Sequence, residues 1–471
     1  MVLLSCFSIV LAILVGTQAL AGTDPAMVPV GVATVDITPT YPVRLVGYSD
    51  RKSESAGVAS RLKARSIAIG NDRLPGDSGR EAGPSILIAV DNLGIAKNIT
   101  EQVAERLRIK AGIPRERLVV CATHTHCAPA LSGGVSVIFG GPLPPDQQGR
   151  IDRYTRELID SLESVAIQAL ANRKPAKLSW AHGSVSGVAA NRRVLNKGKW
   201  VGFGVNPSGP TDTTLPILKI TNEAGALHAV LLGYACHCTT LGGSFNQICA
   251  EWAGYACDEI EAAHPGATAM VIIGCGADAN PEPRRNLDDA KRHGSSIARE
   301  TERLLAGPAT PLPGRIEAHL RQIELPLSDI PKKEQLQERV NSPGAEGYFA
   351  RILLDQLGRG QALPGSIPYV IQTWSFGDSL AMVFLAGEVV VDYAIRLKWE
   401  TDATKLWVNA YSNDVPCYIP SRRITSEGGY EVDLSMIYYG RAGRIALEAE
   451  DLIVSTVHDL LPLSFQRAGK P

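Results

Sequence analysis

The segment Cys121-Ala122-Thr123-His124-Thr125-His126 places two imidazoles two residues apart at the end of an apolar run. In extended chain, residues i and i+2 point to the same face, so His124 and His126 can address one point in space. A metal ion or an acid/base pair requires that arrangement, although a pair of structural histidines fits the same spacing. A second apolar run, Ala229 to Tyr234, leads into Ala235-Cys236-His237-Cys238 and sets another histidine at a strand end, where the sites of α/β folds form. Glu388 follows Phe384-Leu385-Ala386-Gly387. Two histidines and a carboxylate make an ordinary hydrolytic zinc set with a position left for water. Taken alone, Glu388 reads more readily as a helix-start carboxylate favoured by the helix dipole.

Other segments have two readings each. Gly274-Cys275-Gly276-Ala277-Asp278 is either a site loop, with Asp278 orienting a metal-bound histidine, or a plain strand-to-helix turn. Asp91, at the end of the run Ile86 to Val90, shares that ambiguity. The turn-rich stretch Asn409 to Arg423, followed by Glu427-Gly428-Gly429-Tyr430-Glu431, carries the aromatics and arginines of a site-lining loop or of a packed surface loop.

The elements that must position these residues are strands around 31–35, 85–90, 117–120, 229–232 and 269–273, interleaved with helical patterns near 99–111, 151–172, 253–263 and 287–305. Later come a hairpin across Gly377-Asp378, a helix near 389–400 and a last helix near 440–461. The alternation predicts an α/β fold of layered mixed sheets flanked by helices. Residues 70–84 and 133–148 read as surface insertions, 328–347 as a polar connection, and Pro311-Leu312-Pro313 as a soft boundary between lobes that share one site.

Composition narrows the function classes. Lys+Arg 47 against Asp+Glu 48 leaves a net charge of −1, so no global field holds a polyanion, and nucleic acid is excluded as an expected partner. Val2 to Val15 followed by Ala19-Leu20-Ala21 reads as a signal peptide over 1–21, which gives a secreted or periplasmic mature chain of residues 22–471. No later apolar run reaches the roughly 20 residues that span a bilayer. Eight cysteines remain after the leader, and their pairing cannot be read from their spacing.

The His-Thr-His element, His237, Leu385-Ala386-Gly387-Glu388, Ser412-Asn413 with Tyr418, and Tyr430 together resemble the neutral/alkaline non-lysosomal ceramidase family. So do Gly31-Val32-Ala33-Thr34-Val35-Asp36-Ile37-Thr38, Gly47-Tyr48 and Leu62-Lys63-Ala64-Arg65. The pieces occur in the family's order over most of the chain. The resemblance implies a zinc amidohydrolase acting on ceramide-like N-acyl lipids, with Zn2+ held by His124, His237, Glu388 and Tyr418. His126, Arg192 of the Asn191-Arg192 element and Tyr430 would surround the scissile carbonyl, with Arg193 as the alternative to Arg192. Ordinary zinc chemistry then makes zinc-bound hydroxide the nucleophile, His126 the proton carrier, and Arg192 and Tyr430 the oxyanion donors.

Three departures from the family's pattern accompany the resemblance. Its common C-terminal immunoglobulin-like domain is expected to be absent, cysteines crowd the histidine motifs, and Glu251 stands where an aspartate is expected. Other classes therefore stay open: a zinc hydrolase of a carbohydrate ester or small N-acyl amine, a Cys/His structural zinc protein using Cys121, Cys236 and Cys238, or a non-catalytic binding protein on the same fold. The expected partner is a small-molecule or lipid acyl substrate, with transient contact to a membrane surface.

Overall fold

The computed structural model describes residues 27–73 and 83–467. The signal peptide expected over 1–21 and most of the insertion at 70–84 lie outside them.

Two mixed sheets stack face to face. The larger runs in the spatial order Thr268–Ile273, Leu227–Tyr234, Thr214–Asn222, Lys174–Ser184, Val28–Asp36, Lys63–Ile69, Ser85–Val90, Leu118–Ala122, with Thr310–Leu312 added on Lys174–Ser184. Its two outermost pairs are parallel and the pairs between them antiparallel. The smaller sheet runs Leu406–Asn409, Leu380–Leu385, Ser366–Phe376, Glu317–Ser328, Arg444–Ile445. The chain passes from the first sheet to the second just after Thr310–Leu312, where the soft lobe boundary was expected.

Side-chain alternation explains the stacking. In Ser85–Val90, Leu87 and Ala89 face the layer between the sheets, while Ile86, Ile88 and Val90 face the helices Lys97–Ala111 and Pro145–Ala171. In Leu380–Leu385, Leu380, Met382 and Phe384 enter the same inter-sheet layer, and Ala381, Val383 and Leu385 face the helices Val391–Glu400 and Ala449–Leu460. Burial on both faces is why these strands read as continuous apolar runs. A leucine-sized side chain removed from either layer would cost about 2–5 kcal/mol.

Several boundaries differ from the sequence reading. The helix expected from Ile151 starts at Pro145, because proline fits the first helical position, where no N–H is needed. The last helix is Ala449–Leu460 and not 440–461; Gly440 has φ +68°, and Arg444–Ile445 pairs with Leu327 and Ser328 as a sheet edge. The polar connection at 328–347 holds the helix Lys333–Arg339 and runs into Ala345–Gly358; Leu336, Phe349 and Leu353 from these two helices share a small buried cluster. No helix among the described residues is long and apolar enough to cross a membrane.

Candidate metal centre

The carboxyl ends of strands from both sheets meet at one edge. A short stretch after Leu406–Asn409 ties them together: Ala410 N–H donates to Ile273 O, Ala122 N–H to Tyr411 O, Ser412 N–H to Leu385 O and Asn413 N–H to Val120 O. His124, His126, His237 and Glu388 each follow one of these strand ends.

His124 does not reach the site by simple pleating. Its φ of +58° puts it in the left-handed region, a strained conformation for a side chain with a Cβ. The kink turns the ring so that His124 Nε2 lies 3.1 Å from His126 Nε2. The extended-chain expectation is thus corrected: the two rings converge because the chain bends, their planes lying nearly perpendicular. His126 is seated against Gly47, whose φ is +105° and where a Cβ would fall 2.5 Å from His126 Nδ1, so only glycine admits the ring. Gly387, at φ +83°, turns the chain so that Glu388 joins Tyr418 in a two-residue parallel ladder.

Three carbonyls fix the three imidazoles. His124 Nδ1 lies 2.6 Å from Leu93 O, His126 Nδ1 3.1 Å from Gly47 O, and His237 Nδ1 3.0 Å from Gly276 O. Each contact assigns the proton to Nδ1 and leaves Nε2 with a bare lone pair. These nitrogens lie within 4.8 Å of one another, and Glu388 Oε2 lies 3.1 Å from both His124 Nε2 and His237 Nε2. Acceptors facing acceptors without a hydrogen between them repel unless a cation stands among them. The donor set therefore fits a divalent metal ion.

Burial pushes His237 down to about 3, helped by the Arg192 guanidinium, and holds His126 well below the ordinary imidazole range. Both rings are neutral ligands or bases at neutral pH.

Arg192 closes one side. Its guanidinium donates to Tyr418 Oη at 3.1 Å and Glu431 Oε1 at 3.0 Å, comes within 3.3 Å of His237 Nε2, and lies over the rings of Phe203, Tyr418 and Tyr430. Arg193 turns away to Glu427, Glu431 and the Gly428 carbonyl. Of the two arginines left open by the sequence, Arg192 is the one that faces the centre. Tyr418 Oη lies 3.3 Å from His237 Nε2, and the Tyr430 ring packs edge-on against Tyr418.

Three residues that sequence reasoning gave no role complete the surround. Tyr439 donates its hydroxyl to Glu388 Oε1, leaving Oε2 for the histidines. The buried Glu431 carboxylate is shared by Arg192 and Arg193, and the Tyr411 ring packs on His124 with centroids 4.3 Å apart. Glu431 adjoins Tyr430 in sequence, but nothing local signals its pairing, and Tyr439 is one of two adjacent tyrosines with no motif around them.

Other expectations are corrected. Asp278 touches no imidazole; it accepts from Val391 N–H at 2.9 Å and Asn191 Nδ2 at 3.2 Å, so it holds the first turn of Val391–Glu400 just beyond Glu388. Asp91 is buried against Arg65 and the Lys63 amide, away from the centre. Glu251, at φ +60°, accepts from Leu241 and Trp252 amides and shapes the turn entering its helix. All eight cysteines from Cys121 onward are buried free thiols; Cys121 Sγ faces Ser412 Oγ, and the metal-competent group contains no cysteine.

A cleft of about 840 Å3 lies beside Tyr430, walled by Phe139, Phe349, Leu353 and Met436 among others, with Arg339 and Arg441 in its lining.

Two stacked mixed sheets clasped by helices, with a buried histidine cluster at their joined strand ends, define an α/β protein with a metal-ready centre. The family model for neutral/alkaline non-lysosomal ceramidase, N-terminal, matches residues 29–283, and the chain belongs to that family. The chain is 24% identical over 335 residues to the neutral ceramidase of Mycobacterium tuberculosis, covering 64% of this chain and 49% of that protein. It is 28% identical over 184 residues to neutral ceramidase 3 of Arabidopsis thaliana, covering 38% of this chain and 21% of the relative. The matched stretches thus span about half or less of those relatives. The crystal structure of neutral ceramidase from Pseudomonas aeruginosa superposes with TM-score 0.70 at 16% identity, covering 95% of this chain and 77% of that one. A ceramidase complexed with C2 gives 0.69 at 15%, covering 95% and 78%. At those identities the two structures establish the fold.

Proposed function

We propose that the protein is an exported zinc-dependent amidohydrolase that splits a ceramide-like N-acyl lipid into a sphingoid base and a fatty acid. The observation that carries this reading is the convergence of three backbone-anchored imidazoles, two of them facing Glu388, next to Arg192 and Tyr430 and beside an 840 Å3 cleft. Family membership and the names of the relatives support the substrate class. Export rests on the apolar leader, with residues 22–471 as the mature catalytic domain.

His124, His237, Glu388 and Tyr418 would hold the ion. Zinc bound there supplies a Lewis acid and lowers the pKa of a water to about 7. His126, neutral and anchored through Nδ1 on Gly47 O, takes the proton of the attacking water at Nε2 and returns it to the leaving amine as the C–N bond breaks. Arg192, clamped by Glu431, and Tyr430 donate to the oxygen that gains charge, each contribution worth about 3 kcal/mol. The apolar cleft wall receives the acyl or sphingoid chain and keeps bulk water away.

The test is release of fatty acid from a long-chain N-acylsphingosine by zinc-loaded protein against a chelated control. Release that the chelator abolishes is the expected result. No release from zinc-containing protein would move the substrate to another amide or an ester, and a protein that takes up no zinc would overturn the reading.

A further inference from the structure

Beside the centre stands a hairpin that the proposed chemistry does not use. Arg193–Asn196 pairs with Lys199–Phe203 across the two-residue turn Lys197-Gly198, both of whose residues have positive φ (+49° and +74°), as a tight hairpin turn demands. The chain then continues alongside 191–192, since Gly204 N–H donates to Arg192 O and Asn206 N–H to Asn191 O. In this extended run, Val201, Phe203 and Val205 are 57%, 52% and 52% exposed. Val201 and Phe203 stand two apart on Lys199–Phe203, which bulges at Val201, and Val205 follows past the bend at Gly204, so three exposed apolar side chains lie within five residues.

The row is continuous with the site. The inner edge of Phe203 packs on Tyr430, with ring centroids 4.9 Å apart, and under the Arg192 guanidinium. Tyr430 opens the turn that ends at Leu434, a cleft-lining residue that is itself 53% exposed. Exposed apolar groups therefore flank the cleft mouth from the hairpin and from this turn.

Charge identifies the occupant. Residues 193–206 contain no Asp or Glu, and the turn carries exposed Lys197 and Lys199. Lys52 and Arg339 are exposed on the cleft lining, offset there by exposed Asp329 and Glu346. On a chain whose net charge is −1, the hairpin itself is locally basic, with an apolar crest. Exposed apolar side chains bordered by lysines suit the headgroup and acyl boundary of an anionic bilayer, where each lysine adds attraction and each apolar group adds burial.

We propose that this hairpin, together with Leu434, docks the protein on an anionic lipid surface with the cleft mouth turned toward the bilayer. The inference rests on the reading that the substrate is an N-acyl lipid, because only a membrane-resident substrate gives such docking a use.

The test is co-sedimentation of the zinc-loaded protein with phosphatidylcholine vesicles with and without phosphatidylglycerol, for wild type, the Val201→Asp/Val205→Asp double variant and Lys197→Glu. None of these three side chains contacts the metal centre. Alongside it, turnover is measured on a soluble short-chain N-acyl amide and on long-chain substrate in vesicles. Wild type binds the anionic vesicles, and the double variant binds them about tenfold or more weakly. Lys197→Glu weakens binding most at low salt, and all three proteins keep the same short-chain turnover. The proposal is overturned if wild type ignores anionic vesicles, if the double variant binds as wild type does, or if the substitutions abolish self-association and leave vesicle binding intact. Hairpin-dependent vesicle binding without turnover of either substrate would retain the docking surface and remove the substrate reading. Short-chain turnover with hairpin-independent binding would do the reverse.

Discussion

Glu388 has two oxygens with two different duties. Oε2 faces His124 and His237, while Oε1 receives the Tyr439 hydroxyl. Without that donor the carboxylate can rotate and lose the orientation that complements the imidazoles. Tyr439→Phe is expected to weaken zinc binding by about 10–100-fold, the usual effect of losing an outer partner of a metal ligand. Competition with a chromogenic chelator measures it, and unchanged melting of the metal-free variant separates it from misfolding. His126→Gln is the contrasting case: zinc is retained while turnover falls by about 10²–10⁴-fold, as expected for removal of a general base. Loss of zinc from the His126→Gln protein would make His126 a ligand.

At the scale of elements, the centre depends on how the ends of strands and helices are tied. Asp278 leaves the turn after Thr268–Ile273 and accepts the Val391 amide at the start of Val391–Glu400, three residues beyond Glu388. A carboxylate at a helix N-terminus satisfies an otherwise orphan N–H and interacts favourably with the helix dipole. Asp278→Ala leaves that amide without its acceptor and Asn191 Nδ2 with the Pro210 carbonyl alone, so a loss of about 1–3 kcal/mol is expected by urea denaturation. Because the loosened turn carries Glu388, zinc affinity falls with it; a variant of lowered stability but unaltered zinc affinity would show that the tie serves the helix alone.

Across the whole molecule, buried ionisable groups give stability a pH dependence with opposing parts. Burial raises Glu251 from 4.5 to about 7. Between those values the folded protein keeps a proton that the unfolded chain has released, so this group's contribution falls as pH rises through that window. His237 acts the other way in metal-free protein. Its folded value of about 3 lies below 6.5, so between them the unfolded chain holds the extra proton and stability rises with pH. Glu251→Gln isolates the first part: the melting temperature of the chelated variant minus that of wild type should climb from about pH 4.5 to about pH 7 and level off above, apart from a constant offset. A difference that stays flat across that range would show that Glu251 is ionised throughout in the folded state.

Primary structure alone marks the segments that become strands buried on both faces and the chemical groups that leave their ends. A run such as Ser85-Ile86-Leu87-Ile88-Ala89-Val90 has no polar face to give to water, and His124, His126, His237 and Glu388 stand within a few residues of such runs. Both properties are local, so they are legible along the chain. How those groups meet depends on contacts between segments far apart along the chain. The carbonyls that set the imidazole protons belong to Leu93, Gly47 and Gly276, which lie 31, 79 and 39 residues from their histidines. The left-handed turn at His124, the choice of Arg192 over Arg193, and the Tyr439 contact likewise depend on neighbours brought from elsewhere. A backbone carbonyl has no residue type, and a bend or a contact between distant segments leaves no periodicity. Hydrophobic pattern specifies what is buried, and packing alone specifies what faces it.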